Sequence, residues 1–343
     1  MNNSPYFRRP SSVQVIMFKV LAGLVPAIAA YVWLFGAGIL LNIAVASAAA
    51  LAGEAAMLKL RGRPIGLFLS DGSALVTAWL ISLAFPPLAP WWLTVVGVLF
   101  AVVIVKQLYG GLGQNPFNPA MAAFAVMIVA FPALMSQWPS ASHPIDFHAQ
   151  LNLILGGIRE LDAITGATPL DALRTGLRES SHPATVASVM GGNAAFGLAG
   201  GKGWEWISLG YLVGGLWLLQ QKVITWHIPA AFLTVLAAMA GVFYLVSPEN
   251  FASPLFHLAS GGAMLGAFFI LTDPISSCTT PKGKLIFAAG AAFFTFIIRT
   301  WGAYPDGVAF SVLLMNILVP LIDMTTQPAI FGHKLDAKHG GKK

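Results

Sequence analysis

Residues 20–36, VLAGLVPAIAAYVWLFG, and residues 38–58, GILLNIAVASAAALAGEAAML, decide the class of fold. The only charged residue in either stretch is Glu54. A helix needs about 20 mostly apolar residues to cross the hydrocarbon of a bilayer. Both stretches meet that need, and Pro26 is no obstacle where neighbouring helices can satisfy the backbone. Eight more stretches of the same character follow. They lie at roughly 72–88, 91–108, 117–135, 206–221, 226–246, 256–273, 284–300 and 307–324. The whole chain has 343 residues, of which 57% are apolar and 9% charged, with a mean hydropathy of +0.76. A soluble domain carries about 25% charged residues. This balance excludes an ordinary cytoplasmic enzyme, a disordered chain and a nucleic-acid binder. A lipid-embedded protein is left.

The expected fold is therefore an all-α integral membrane protein of about ten transmembrane helices. Basic residues give the orientation, because Lys and Arg collect on cytoplasmic loops. With the N-terminus inside, 14 of the 19 Lys and Arg fall on inner segments. The net charge of +6 then reflects this bias rather than an acidic partner. The division predicted is a cytoplasmic segment 1–19, a first half 20–135, an outer loop 136–205, a second half 206–324 and a cytoplasmic tail 325–343. In a bacterium the membrane would be the inner one and the loop periplasmic. The start, MNNSPYFRRP, has no cleavable signal pattern, so the first span is expected to be retained. A single cysteine, Cys278, rules out an intramolecular disulfide.

The two halves resemble each other. Asp71-Gly-Ser-Ala-Leu opens the third span and Ser260-Gly-Gly-Ala-Met lies in the eighth. Asn115-Pro-Phe-Asn-Pro-Ala precedes the fifth and Tyr304-Pro-Asp-Gly-Val-Ala the tenth. Five spans per half would make the second an inverted copy of the first, a plan that often places ligands between the halves. Gly-rich helices that simply pack closely would look similar.

The outer loop carries the chemistry. Residues 161–170, LDAITGATPL, contain D-x-x-[ST]-G-A-[ST] at Asp162, Thr165, Gly166, Ala167 and Thr168. This resembles the acceptor motif of periplasmic flavin transferases, which split FAD and attach its FMN half to a hydroxyl through a phosphoester. The residue types suit that task. Gly166 and Ala167 leave the backbone unobstructed, and Pro169 biases Thr168 toward extended geometry. Asp162 would be a recognition or metal-proximal contact. The competing reading is a helix N-cap at Thr168, with Pro169 first and Asp171 in the first turn. The two are compatible, since a phosphate also sits well at a helix N-terminus. Residues 191–203, GGNAAFGLAGGKG, read as a flexible linker.

Over nearly its whole length the chain resembles a family of membrane subunits. These are RnfD of the Rnf (Rsx) electron-transport complex and NqrB of the sodium-pumping quinone reductase. The stretches that carry the likeness are Thr165-Gly-Ala-Thr-Pro-Leu, Trp226-His-Ile-Pro, Gly266-Ala-Phe-Phe-Ile-Leu-Thr-Asp-Pro, Thr279-Thr-Pro-Lys-Gly-Lys and Tyr304-Pro-Asp-Gly-Val-Ala-Phe-Ser. The short N-terminal segment favours the RnfD branch. The resemblance implies a flavin-carrying member of an ion-translocating ferredoxin:NAD⁺ oxidoreductase, coupled to Na⁺ or H⁺. It implies covalent FMN on Thr168 and a second, non-covalent flavin, riboflavin, among the helices. It also implies the other Rnf proteins (A, B, C, E and G) and an FAD-dependent transferase as partners, and no turnover by the isolated chain. An NqrB-type protein is one alternative. A urea- or ammonium-type channel is another, in a different class, and has no use for a flavin acceptor.

Asp71 and Asp273 fall at matching inner positions, either as helix-end residues or on a flavin or ion path. Glu54 reads as an interfacial partner of Lys59. Lys106 and Arg299 are expected to snorkel from span ends. Cys278 cannot alone hold an iron–sulfur cluster. The histidines form no zinc-binding pattern, and the tryptophans read as an interfacial belt.

Overall fold

The computed structural model describes residues 12–139, 145–156, 165–179, 184–193 and 195–328, and these are largely helical. In chain order, α1 is Val13–Phe35, α2 Gly38–Leu60, α3 Ile65–Leu69 and α4 Ser73–Ala84. Next, α5 is Trp91–Leu99, running on as a π-helix over Phe100–Gln107, followed by α6 at Pro119–Ala130 and α7 at Pro132–Met135. The loop region holds β1 (Trp138–Pro139), α8 (Phe147–Leu155), β2 (Thr165–Gly166), α9 (Pro169–Glu179) and α10 (Val186–Gly192). The remainder is α11 (Trp204–Gln220), α12 (His227–Val246), α13 (Pro254–Ala259), α14 (Ala263–Leu265) with a π-helix at Gly266–Ile270, α15 (Pro281–Trp301) and α16 (Val308–Thr326).

Helices start where the sequence offers a polar cap followed by proline. Asn118, Ser253 and Thr280 each accept a backbone N–H of the first turn, at 3.1, 3.3 and 2.9 Å, and each is followed by Pro at the first helical position. Such a cap satisfies an orphan donor, and Pro there gives up an N–H that would have no partner. At the end of α1, Gly36 takes φ +88°, a conformation glycine reaches without a Cβ penalty.

Among the described residues five helices are long and apolar enough to cross a membrane: α1, α2, α12, α15 and α16. Shorter apolar helices occupy Ser73–Ala84, Trp91–Gln107 and Pro119–Ala130. The predicted stretches 72–88, 117–135 and 256–273 are thus not single long helices. Pro86 and Pro87 follow the end of α4, Pro132 restarts the chain after α6, and Gly261-Gly262 separates α13 from α14. Each break sits where a backbone N–H is missing or a glycine reaches φ > 0.

Packing between α1 and α11 is set by glycine. A Cβ at Gly214 would run into the carbonyl of Gly23, and one at Gly210 would lie 2.6 Å from the Cα of Ala27. The spacing Gly210-x-x-x-Gly214 is the small-residue pattern that lets two helices touch backbone to backbone in lipid. Elsewhere, α6 meets α16 through amides. The Asn118 backbone N–H donates to Asn316 Oδ1 (3.0 Å), and Asn316 Nδ2 donates to the Ser276 carbonyl (2.8 Å).

Two sequence readings are corrected. Lys106 does not snorkel: it and Glu54 are each 2% exposed and form an ion pair of 2.7 Å. Glu54 therefore pairs with a helix remote in sequence, not with Lys59. Lys106 Nζ also donates to Ser73 Oγ (2.7 Å), and Gln107 Nε2 donates to the same Glu54 Oε1 (2.8 Å). Lys106 and Gln107 both belong to the π-helix. An extra residue per turn re-aims side chains that a continuous α-helix would point elsewhere. Arg299, likewise, is buried, with its nitrogens bonded to one carboxylate and two carbonyls.

Candidate functional site

Thr168 is held from both sides. On one side, β2 pairs antiparallel with β1, setting Gly166 opposite Trp138 and Thr165 opposite Pro139. On the other, Thr168 caps α9: the Asp171 N–H donates to its Oγ1 (3.3 Å) and the Ala172 N–H to its carbonyl (2.8 Å). The N-cap expected from the sequence is therefore made. Gly166 and Ala167 are exposed and Thr168 is half-buried. Asp162 lies outside the described residues.

Thr168 lines a cavity of about 1040 Å³ between the ends of α1, α4 and α6 and the helices α11, α14 and α16. Its aromatic wall is a connected set. Trp138 meets Trp204 edge-on at 5.3 Å, and Trp204 lies 5.0 Å from Phe35 and 6.0 Å from Tyr31. Tyr211 also lines it, its buried hydroxyl against that of Tyr31. Gly201 is needed close by, because a Cβ there would collide with the Pro169 ring.

The floor is braced by Arg299, whose Nε donates to Asp306 Oδ1 (3.1 Å) and whose other nitrogens donate to the carbonyls of His257 (2.6 Å) and Ser260 (3.1 Å). Asp306 Oδ2 in turn accepts the Gly262 N–H at 2.6 Å. Gly261 takes φ +64° against this cluster. The Ser260-Gly-Gly break noted in the sequence is thus a turn pinned by an ion pair of a buried arginine and a half-buried aspartate.

A second cavity, of about 880 Å³, opens at the other end of α1 and α4. Met17 lines it and Tyr31 lines the first; they are 14 residues apart on α1, about 21 Å at 1.5 Å per residue. Ser73, Lys106 and Asp273 all face the second cavity. Asp71 reaches it through Ser73, accepting the Ser73 N–H (2.7 Å) and Oγ–H (2.6 Å) and so closing the first turn of α4. Asp273 accepts from Ser276 Oγ (2.8 Å) and the Ile275 N–H (3.3 Å). Both acids serve local turns, and the structure brings Ser73 and Asp273 to one space.

The predicted linker 191–203 is a structured turn where described. Phe196 bridges to Gly201, the Lys202 N–H donates to the Ala195 carbonyl (2.8 Å), and the Glu205 carboxylate accepts the N–H groups of Leu198 and Ala199 (3.3 and 2.9 Å). Cys278 is buried, and burial pushes its thiol up to about 12, with Asp323 adding to the shift. Among the described residues no group of three or more His, Cys, Asp or Glu could hold a metal ion. The polar network of Glu54, Lys106 and Gln107, and the Arg299–Asp306 brace, escaped the sequence reading. For the second, a signal existed: an acid seven residues beyond a base, with the helix end at Gly302 and the bend at Pro305 between them.

Residues 1–332 match the model of the NQR2, RnfD, RnfE family. Curated relatives agree. The D component of an ion-translocating oxidoreductase complex from Pseudomonas aeruginosa (strain UCBPP-PA14) is 50% identical over 332 residues, covering 96% of this chain and 95% of the relative. Proteins of the same description from Yersinia pseudotuberculosis serotype O:1b (strain IP 31758) and Escherichia coli (strain SE11) are each 47% identical over 347 residues, covering 97% of this chain and 98% of theirs. With a likeness that runs along almost all of the sequence, the chain belongs to the NQR2, RnfD, RnfE family.

Proposed function

We propose that the chain is the flavin-carrying membrane component of an Rnf-type ion-translocating ferredoxin:NAD⁺ oxidoreductase, passing electrons through the membrane in step with Na⁺ or H⁺ movement. One observation carries the reading: Thr168, in a flavin-acceptor motif, sits half-buried at a helix N-terminus on the rim of a large aromatic cavity. The descriptions of the relatives as components of an ion-translocating oxidoreductase complex agree with it.

In this reading the Thr168 hydroxyl attacks the FMN-side phosphorus of FAD in the active site of a transferase. A P–O bond to Thr168 forms, the pyrophosphate bond breaks, AMP leaves and the hydroxyl proton goes to solvent. The resulting phosphodiester would lie at the start of α9, where the helix dipole favours negative charge. Bound in the cavity, the flavin ring would supply one- and two-electron redox chemistry. The chain's own part is to orient and to exclude water. Trp138, Trp204 and Tyr31 offer flat apolar walls, and the Tyr211 hydroxyl offers a hydrogen bond to a ring heteroatom. The second cavity, with Asp273 and the Asp71–Ser73 pair on its wall, suits a second, non-covalent flavin such as riboflavin, or a step of the ion path.

The same reading has ten crossings in two inverted halves, with both termini cytoplasmic and the 136–205 loop periplasmic at a bacterial inner membrane. The other Rnf proteins (A, B, C, E and G) are the expected partners.

The test is intact-mass spectrometry of the chain co-expressed with an active flavin transferase, beside Thr168→Ala and Thr168→Ser. The wild type and the Ser variant are expected to gain one FMN less one water, and the Ala variant nothing. Loss of the cap costs about 0.5–2 kcal/mol, so melting is measured alongside. A wild-type chain without added mass, while the transferase modifies a control substrate, overturns the proposal.

A further inference from the structure

Helix α9 also walls a different pocket, of about 790 Å³, closed by the loop after α12, by α13 and by the last turn of α15. Among the described residues its lining holds three guanidinium groups, those of Arg174, Arg178 and Arg299, and no carboxylate. Arg299 is neutralised by Asp306. Arg178 spends one nitrogen on the carbonyls of Trp301 and Gly302, both at 3.3 Å, which fixes it to the wall. Arg174 Nε is shut away from solvent with no partner. His257 is 6% exposed, and its Nδ1 is likewise buried and unpaired. Among the described residues, two positive charges without a counter-charge and two orphan nitrogens, one guanidinium and one imidazole, thus converge on one space. Buried donors are not left unpaired without cost, least of all charged ones. An anion with several oxygens would satisfy them, and guanidinium forks match phosphate geometry in particular.

The rim identifies the surroundings. Trp301 ends α15 at 50% exposure, and Leu245 and Val246 at the end of α12 and Leu255 in α13 are 83%, 77% and 57% exposed. α12 and α15 are both long and apolar enough to cross a membrane. A half-exposed Trp at the end of such a helix marks the membrane–water interface. The cationic pocket therefore opens where headgroups lie, with apolar surface below for acyl chains.

We propose that this pocket is a phosphate-binding site, filled by the headgroup phosphate of an anionic phospholipid from the leaflet on the Thr168 side; inorganic phosphate offers the same chemistry from solution. Leu170 lines both this pocket and the Thr168 cavity. A lipid seated here would tie α9, and with it the Thr168 cap, to the membrane helices.

The experiment uses the full chain, delipidated and given phosphatidylglycerol or phosphatidylcholine, with retained lipid counted by native mass spectrometry. Melting is measured with and without excess inorganic phosphate. Arg174→Gln/Arg178→Gln is compared with the wild type. With two cations near the membrane surface removed, the double variant should retain phosphatidylglycerol about thirtyfold more weakly. The expected result is wild-type preference for phosphatidylglycerol over phosphatidylcholine, lost in the variant and unmoved by phosphate. Phosphate that stabilises the wild type alone and displaces the lipid keeps the site and overturns the lipid as its source. The wild type by itself decides the matter if the variant does not fold: no preference for phosphatidylglycerol and no response to phosphate overturns the proposal. So does equal binding by variant and wild type.

Discussion

Glu54→Gln is the most telling single change. It keeps the shape of the side chain and removes one charge from a pair whose members are each 2% exposed. At 2.7 Å the attraction is about 6 kcal/mol for an effective dielectric constant near 20. Much of that only offsets desolvation, and losing one partner of a buried pair costs about 3–5 kcal/mol net. Lys106 would be left with neutral acceptors only, Ser73 Oγ and the amide oxygen that it would share with the Gln107 amide. At roughly 2 °C per kcal/mol for a chain of this size, the midpoint of thermal unfolding should fall by about 6–10 °C. The assay is loss of monodisperse protein on heating in detergent, read by size exclusion. Lys106→Met should fall by a similar amount. The double variant Glu54→Gln/Lys106→Met should recover most of the loss, because no unpaired charge remains. If Glu54→Gln melts within about 1 °C of the wild type, or the double variant is worse than either single one, the pair does not act as a unit and the reasoning fails.

Two further expectations rest on other parts of the fold. Gly214→Ala pushes a methyl into the Gly23 carbonyl, so α1 and α11 must separate; overpacking of this kind costs about 1–3 kcal/mol, and a variant that melts like the wild type would show that the two backbones are not in contact. Cys278, with its thiol pushed up to about 12 from 9.0, should be alkylated by N-ethylmaleimide at pH 8 some ~10³-fold more slowly than an ordinary thiol, the rate rising about tenfold per pH unit through pH 11, since the thiolate is the nucleophile. Modification at an ordinary rate at pH 8 would refute the burial.

What could be read in advance was local. The apolar stretches located helices, and Asn118-Pro119, Ser253-Pro254, Thr280-Pro281 and Thr168-Pro169 each announce a start through chemistry within four residues. Breaks at Pro132 and Gly261-Gly262 were visible in the same way but were read through, because the mean hydropathy of a window does not register them. Non-local pairing was hidden. Nothing near Glu54 marks Lys106 rather than Lys59 as its partner. That choice depends on the π-helix over Phe100–Gln107, and FAVVIVKQ carries no signal that separates a π from an α turn. The Thr168 motif was legible; the aromatic cavity behind it was not, since Tyr31, Trp138, Trp204 and Tyr211 lie far apart in sequence.

The two cavities at opposite ends of α1 have an electrical consequence. Ala120 and Met121 on α6 line one each, so their near walls almost meet, while Met17 and Tyr31 at their far ends stand about 21 Å apart along α1, at most two thirds of the ~30 Å hydrocarbon layer. A unit charge carried between those far ends would cross at most that share of the transmembrane voltage, at ~2.3 kcal/mol per 100 mV for the full drop, or up to about 1.5 kcal/mol. An electron exchanged between the two spaces would be weighted by the membrane potential only in proportion to how far apart in depth its two stations lie.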